Sequence, residues 1–148
     1  MAIRFFSDGV SFQLKGKRII SHWLKLVAAK EGKKTGQLLF IFVSDDIILD
    51  INKQYLKHDH YTDIITFNNS TNNTISGEMY ISIDSVQSNA KDYQVDFSNE
   101  LLRVMVHGVL HLCGHNDTTT EEQQKMRAVE DRYLNEWRAK DSSLWAVS

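Results

Sequence analysis

The feature that most constrains this chain is an apolar helix that carries one polar stripe. Across residues 98–112 apolar side chains occur on almost every side of the predicted helix, which indicates a helix buried within a folded domain. The stripe consists of Arg103, His107 and His111, spaced four positions apart and therefore on one helical face. Burying an unpaired polar group costs about 1–3 kcal/mol, so each of these side chains needs a partner.

The two histidines of the stripe predict a metal site. Imidazoles one turn apart can both direct a nitrogen to the same ion. Gly114 is expected to end the helix and turn the chain back, which would bring His115 and Asp117 near the same point. The alternative is that the histidines are core residues satisfied by hydrogen bonds. A zinc protease of the H-E-x-x-H type is disfavoured, because Gly108 stands where such an enzyme needs glutamate.

The length of 148 residues is close to the commonest domain size, so residues 1–148 predict one domain. Hydrophobic periodicity and turn residues predict an α+β fold, in which a small mixed sheet packs with helices. Strands are predicted over 3–6, 38–43, 64–67 and 75–83, and helices over 17–30, 45–56, 84–93, 98–112 and 118–139. The metal site is expected on the H-x3-H helix and the turn that follows it.

Helix starts are predicted from capping residues. Ser44 or Asp45 can cap the second helix, and Ser98 can cap the helix of the stripe. Thr118 or Thr119 can open the last helix, with a glutamate three residues on completing a capping box. The asparagine-rich segment 68–74 is expected to be a loop between two strands.

Composition narrows the class of protein. The longest apolar run has six residues, far fewer than the roughly 20 of a membrane helix, and the N-terminus lacks the apolar core of a signal peptide. The single cysteine, Cys113, fits a reducing cytoplasm and is expected to face away from the metal. The net charge of −2 argues against a protein whose whole surface binds nucleic acid through charge alone. A local RNA-binding patch, with solvated surface charge as the alternative, would comprise Lys15, Lys17, Arg18, Lys30, Lys33 and Lys34.

Three blocks of the sequence resemble the YbeY family of bacterial rRNA maturation factors. The most specific block is HGVLHLCGHND, from His107 to Asp117. The second block is similar to the family pattern L-N-x-x-Y…D-x-P-T-D-V-L-S-F. Its matching residues are Ile51, Asn52, Tyr55, Asp59 and the run Thr62, Asp63, Ile64, Ile65, Thr66, Phe67. The third is GEMYIS at residues 77–82, where the family has G-D-I-x-I-S.

This resemblance implies a single-strand-specific, metal-dependent endoribonuclease that acts in rRNA processing in the cytoplasm. It implies one zinc ion held by His107, His111 and Asp117, the last at a position where the family usually has histidine. His115 is the alternative third ligand, because imidazole is the commoner zinc ligand. The implied partners are rRNA of the small ribosomal subunit, a ribosome-associated GTPase and a small-subunit ribosomal protein, with no membrane.

Other positions leave alternatives open. The family has arginine at the position of Leu56 and proline at that of Tyr61. Arg103 is a tentative catalytic residue that could hold a substrate phosphate, or it could pair with a carboxylate such as Glu100. Asp63 could brace a loop of the cleft or serve ordinary turn chemistry. The rival functions are a non-catalytic, metal-containing ribosome assembly factor and a metallohydrolase of a non-RNA substrate.

Overall fold

One mixed four-stranded sheet forms the centre of the fold. The computed structural model of the chain describes residues 2–56 and 62–139. The strands are β1 (Ala2–Ser7), β2 (Lys34–Val43), β3 (Ile64–Asn68) and β4 (Thr74–Ser82), arranged in space as β1-β2-β4-β3. β1, β2 and β4 are parallel, and β3 pairs antiparallel with β4 at one edge. The apolar run 38–43 therefore lies in an inner strand, which explains why it lacks polar alternation.

The helices cover both faces of this sheet unequally. They are α1 (Lys17–Lys30), α2 (Asp45–Ile51), α3 (Ile83–Tyr93), α4 (Phe97–Leu112) and α5 (Thr120–Ala139). Buried side chains of α1, α3, α4 and α5 share one core with alternate residues of the inner strands. α2 closes a smaller apolar cluster around Val43, Ile48 and Ile65 on the opposite face. The predicted α+β fold is confirmed.

The helix that carries the polar stripe is buried as its sequence predicts. From Glu100 to Leu112, every residue of α4 is buried except Arg103, His107 and His111, which are half-buried. Gly108 lies against the sheet, where a Cβ would come within 2.8 Å of Met79 Sδ. A side chain at this position would require Met79 and Ile64, or α4 itself, to shift, because packed interiors leave no spare volume.

The start of α5 confirms the predicted capping box. Thr119 Oγ1 accepts a hydrogen bond from the Glu122 backbone N–H at 3.1 Å, and Glu122 Oε1 accepts one from the Thr119 N–H at 3.0 Å. The predicted cap of α4 is wrong by two residues, since Asp96 rather than Ser98 is the N-cap residue and Ser98 lies in the first turn of a helix that begins at Phe97. The Phe97 ring packs edge-on against Phe12 at 5.7 Å, so an apolar contact supports this first turn.

The remaining differences from the sequence prediction are local. The helix predicted to reach residue 56 ends as an α-helix at Ile51 and continues as a π-helical segment, Asn52–Leu56. Asp59 and Tyr61 lie outside the described residues, as do both ends of the domain predicted over 1–148. Within 2–56 and 62–139, none of the helices has the length and apolar character needed to cross a membrane.

Candidate active site

Two carboxylates hold His107 at its two ring nitrogens. Nδ1 lies 2.7 Å from Glu130 Oε2 on α5, and Nε2 lies 3.1 Å from Asp117 Oδ2 in the connection that follows α4. Gly114, with a φ of 106°, reverses the chain between α4 and this aspartate. Glycine adopts that conformation without strain, so the predicted helix stop brings Asp117 back to the stripe.

With a carboxylate at each ring nitrogen, a neutral His107 has a lone pair facing one of them, so the arrangement calls for a second proton or a cation at that contact. If Nδ1–H donates to Glu130, the lone pair of a neutral imidazole is on Nε2 and faces the carboxylate of Asp117. Two acceptors 3.1 Å apart repel unless a cationic species lies between them or a proton joins them. Burial lowers the pKa of His107, but the hydrogen bond and charge of Glu130 and the charges of Asp117 and Asp63 raise this pKa overall. The site therefore attracts either a proton or a metal ion.

The donor chemistry fits a zinc ion. Metal-ligating histidines commonly donate their other ring N–H to a carboxylate, which is the relation of His107 to Glu130. At metal–ligand distances of about 2.1 Å and tetrahedral angles, two ligand atoms lie about 3.4 Å apart. The separation of 3.1 Å between Nε2 of His107 and Oδ2 of Asp117 is close to this value.

His111 follows His107 on the same stripe, one helical turn further along α4. Its side chain is half-buried and forms no hydrogen bond or ion pair within the described part of the chain. Among the residues that the structure describes, no group of three or more His, Cys, Asp or Glu side chains is gathered as a formed metal site. Two of the three predicted ligands are thus in contact, and His111 is one turn away.

His115 points to a different part of the molecule. Its Nε2 lies 2.6 Å from Oε1 of Glu31, at the C-terminal end of α1. Oε2 of the same glutamate accepts a hydrogen bond of 2.5 Å from Tyr133 on α5. His115, Glu31 and Tyr133 therefore join the chain reversal after α4 to α1 and α5.

The cluster of His115, Glu31 and Tyr133 predicts an acid-dependent contribution to stability. Burial raises the pKa of Glu31, but the hydrogen bonds from Tyr133 and His115 outweigh it and lower the pKa below 4.5 overall. A lowered folded-state pKa stabilises the protein above the unfolded value and loses this contribution as the pH falls through the folded value. We expect Glu31→Gln to reduce the free energy of unfolding near pH 7 and to change it little near pH 3, measured by urea denaturation. Glu121→Gln, at an exposed carboxylate, is the control, and an equal loss at both pH values would contradict this assignment.

Arg103 is paired with carboxylates of α5. Nη1 lies 2.9 Å from Glu130 Oε1, and Nη2 lies 2.5 Å from Asp131 Oδ1. The ion pair is thus with these two residues rather than with Glu100. A substrate phosphate at Arg103 would have to compete with both carboxylates, and Arg103 fixes the carboxylate that orients His107.

A cavity of about 300 Å³ opens beside His107. Its wall includes Asp117, Arg103 and Glu130, together with the half-buried Asp63 and the buried Glu100. Burial raises the pKa of both Asp63 and Glu100 above the ordinary values. Of the two alternatives for Asp63, a place in the cleft agrees with its position at the cavity wall.

Other residues singled out in the sequence lie apart from this cavity. Cys113 is half-buried, and burial raises the pKa of its thiol to about 11, so the thiol is protonated at neutral pH. The basic residues proposed as one patch belong to opposite ends of α1, which is about 20 Å long. One of them, Lys30, pairs with Glu136 at 2.7 Å.

Sequence reasoning missed Glu130, the residue that orients His107. It is 4% exposed and lies four positions after Met126 and three before Tyr133, both of them buried. A carboxylate on the buried face of a helix was the available signal, because an unpaired buried charge is very costly. Glu100 carries the same signal on α4, where it is also 4% exposed.

Comparison with known proteins places this fold in a family. The family model described as Endoribonuclease YbeY matches residues 5–138. Among curated proteins named Endoribonuclease YbeY, that of Parabacteroides distasonis is 46% identical over 134 residues, covering 90% of this chain and 94% of the relative. That of Phocaeicola vulgatus is 46% identical over 132 residues, covering 89% of this chain and 96% of the relative.

A solved structure shares the fold. A solution structure of a protein from Thermotoga maritima superposes with a TM-score of 0.63 at 29% sequence identity, covering 96% of this chain and 95% of the other. The family match spans α4, the glycine turn and Asp117, so it includes the residues that surround His107. From these matches together, the chain belongs to the YbeY endoribonuclease family.

Proposed function

We propose that this protein is a metal-dependent, single-strand-specific endoribonuclease that acts in rRNA processing during ribosome maturation in the cytoplasm. The observation that carries the proposal is His107, which is oriented by Glu130 and faces Asp117 at the wall of an open cavity. Membership of a family whose curated members are named endoribonucleases supplies the reaction class. The residues of the site supply the reason to expect a metal.

One zinc ion would be held by His107, His111 and Asp117. Nitrogen and oxygen donors of this kind suit zinc, and three protein ligands leave a fourth position open, as in catalytic zinc sites. The bound ion would supply Lewis-acid polarisation of the scissile phosphodiester.

The protein's own groups prepare the site for that ion. Glu130 accepts from Nδ1 of His107 and so directs the lone pair of Nε2 outward. Arg103 holds the other oxygen of Glu130 at 2.9 Å, which stops this carboxylate from rotating away. Removing Arg103 would therefore disturb His107 as well as any contact with phosphate.

The nucleophile need not come from a protein base. Gly108 occupies the position where the H-E-x-x-H proteases have their catalytic glutamate, and packing against Met79 leaves no room for a side chain there. RNA carries its own nucleophile in the 2′-hydroxyl next to each phosphodiester. A substrate limited to RNA fits this site better than a peptide or another ester.

The shape of the site favours an unpaired strand. Arg103 and His107 of the stripe line a cavity bounded by α3, α4 and α5 rather than a flat surface. Single-stranded RNA can place a phosphate and an unstacked base in such a cavity, whereas the bases of an A-form duplex stay stacked and paired.

Metal removal tests this proposal directly. Protein purified free of contaminating nucleases should contain one zinc ion per chain and cut a single-stranded rRNA fragment. A chelator should abolish cutting, added zinc should restore it, and the same sequence in a duplex should stay intact. Cleavage that persists without metal, or zinc-loaded protein that leaves RNA intact, would contradict the proposal.

A second function is favoured by the absence of a protein base at Gly108. The protein would then be a ribosome assembly factor in which the metal only supports the fold. Its partners under either function would be rRNA of the small subunit, a ribosome-associated GTPase and a small-subunit ribosomal protein. The cleavage experiment separates the two functions, because an assembly factor binds the RNA without cutting it.

A further inference from the structure

The wall of the cavity beside His107 includes the carboxyl of a largely buried glutamate that no neighbouring protein group among the described residues hydrogen-bonds. Glu100 is 4% exposed and lines this cavity from the first turn of α4. Its side chain has no hydrogen bond or ion pair within residues 2–56 and 62–139. Buried polar groups are normally hydrogen-bonded, so an exception that faces a cavity indicates a ligand that completes it.

The same cavity offers a stacking surface at its mouth. Tyr93, at the end of α3, is 54% exposed, and the guanidinium of Arg127 lies 5.3 Å from the centre of its ring. Both residues line the cavity that contains Glu100. Aromatic rings and guanidinium planes are the groups on which proteins stack unpaired RNA bases.

The position of Glu100 suits a base rather than the scissile phosphate. It precedes His107 by seven residues on α4, a separation of about 10 Å along the helix axis. That distance is too long for a hydrogen bond to a phosphodiester held at His107. It is comparable with the separation between the phosphate of a nucleotide and the pairing edge of its base.

The polar groups of the cavity select a base with hydrogen-bond donors. Carboxylates of Asp63, Glu100 and Glu130 line it beside the amides of Asn89 and Gln123, while the guanidinium of Arg103 is engaged by Glu130 and Asp131. An ionised carboxylate only accepts hydrogen bonds, and it accepts two best from a pair of parallel N–H groups. Among the four RNA bases, guanine alone presents two adjacent N–H donors, N1–H and N2–H, on its pairing edge.

We propose that this cavity is a guanine-binding subsite for the RNA substrate, in which Glu100 accepts from N1–H and N2–H while Tyr93 and Arg127 stack on the base. This inference rests on the proposed function, since it gives the ribonuclease a base preference beside the cleaved bond. The carboxyl of Glu100 gains the donors that it lacks, and the base stacks on the surface that Tyr93 and Arg127 form together.

Binding of 5′-mononucleotides to the zinc-loaded protein tests the subsite by calorimetry. GMP should bind at least about tenfold more tightly than AMP, CMP or UMP, as expected for a bidentate contact. The phosphate is common to all four nucleotides, so its contact with the metal does not affect this ratio. IMP, which lacks the 2-amino group, should lose most of the preference.

Two substitutions separate recognition from stacking. Glu100→Gln keeps the shape of the side chain but replaces one acceptor by a donor, so the preference for GMP should fall below about threefold. Tyr93→Ala should weaken the binding of all four nucleotides by a similar factor, about tenfold. Glu121→Gln, at an exposed carboxylate of α5, should leave every affinity unchanged.

The outcomes distinguish this inference from the proposed function. Equal affinity for the four nucleotides, or a guanine preference that survives Glu100→Gln, overturns the subsite even if RNA is cleaved. Selective binding of GMP by a protein that cuts no RNA supports the subsite and overturns the endoribonuclease proposal. The comparison of GMP with IMP uses the unaltered protein, so it decides the question even if Glu100→Gln fails to fold.

Discussion

Replacing His111 by alanine is expected to reduce RNA cleavage at least about 100-fold while the protein remains folded. The loss would follow from removing one of the three proposed metal ligands, because Lewis-acid stabilisation of the transition state is worth several kcal/mol and each 1.4 kcal/mol is a factor of ten. The fold should survive, since His111 is half-buried and forms no hydrogen bond in the described part of the chain. Initial rates on a fluorescent single-stranded rRNA fragment measure the first effect, and circular dichroism measures the second.

Ser98→Ala is the matched control for His111→Ala, because Ser98 is exposed on the same helix. It should keep the cleavage rate and the zinc content of the unaltered protein. Full activity in His111→Ala would show that this histidine is not part of the site. A loss of activity with zinc still bound at full stoichiometry would show instead that His111 acts on the substrate.

Asp117→Ala is expected to lower zinc affinity at least about tenfold, whereas His115→Ala should change it less than about threefold. Asp117 lies 3.1 Å from Nε2 of His107, while His115 is engaged by Glu31 at 2.6 Å. Removing a direct ligand should cost at least as much as the 10- to 100-fold typical of residues that only orient ligands. Competition with a chelating dye measures both affinities under one set of conditions.

His115→Ala has its own expected effect, which makes the pair of variants informative. Losing the hydrogen bond to Glu31 should lower the free energy of unfolding by about 1–3 kcal/mol, because a partly buried carboxylate is left with fewer donors. Asp117→Ala should lower the free energy of unfolding less than His115→Ala does, because the side chain of Asp117 is half-exposed. If His115→Ala lowered zinc affinity more than Asp117→Ala, the third ligand would be His115. The site would then consist of three histidines, and His115 would have to give up its contact with Glu31.

Local sequence signals identified most of the elements because each rests on interactions between near neighbours. α1 occupies residues 17–30 as its periodicity predicts, and the Thr119 capping box opens α5 where expected. The cap predicted at Ser98 lies at Asp96, and the first turn of α4 packs through Phe97 on Phe12, which is 85 residues away in the sequence. A local capping rule contains no information about such a contact.

The candidate site was predicted in part for the same reason. His107, His111 and Asp117 lie within eleven residues, so helical spacing and one glycine turn made His115 and Asp117 candidates for the third ligand, and the family resemblance selected Asp117. Glu130 is 23 residues away from His107, and Glu31 is 84 residues away from His115. Their pairing depends on how α1, α4 and α5 pack against one another.

The sequence by itself determined the buried helix, its polar stripe, the turn at Gly114 and the family to which these residues belong. These features follow from periodicity and backbone conformation, which act over a few residues. Only the tertiary structure decided which carboxylate orients His107, that His115 faces Glu31, and that Glu100 faces a cavity without a partner. The physical reason is that hydrogen bonds and ion pairs act over a few ångströms in space, and distant segments come that close only when the core packs.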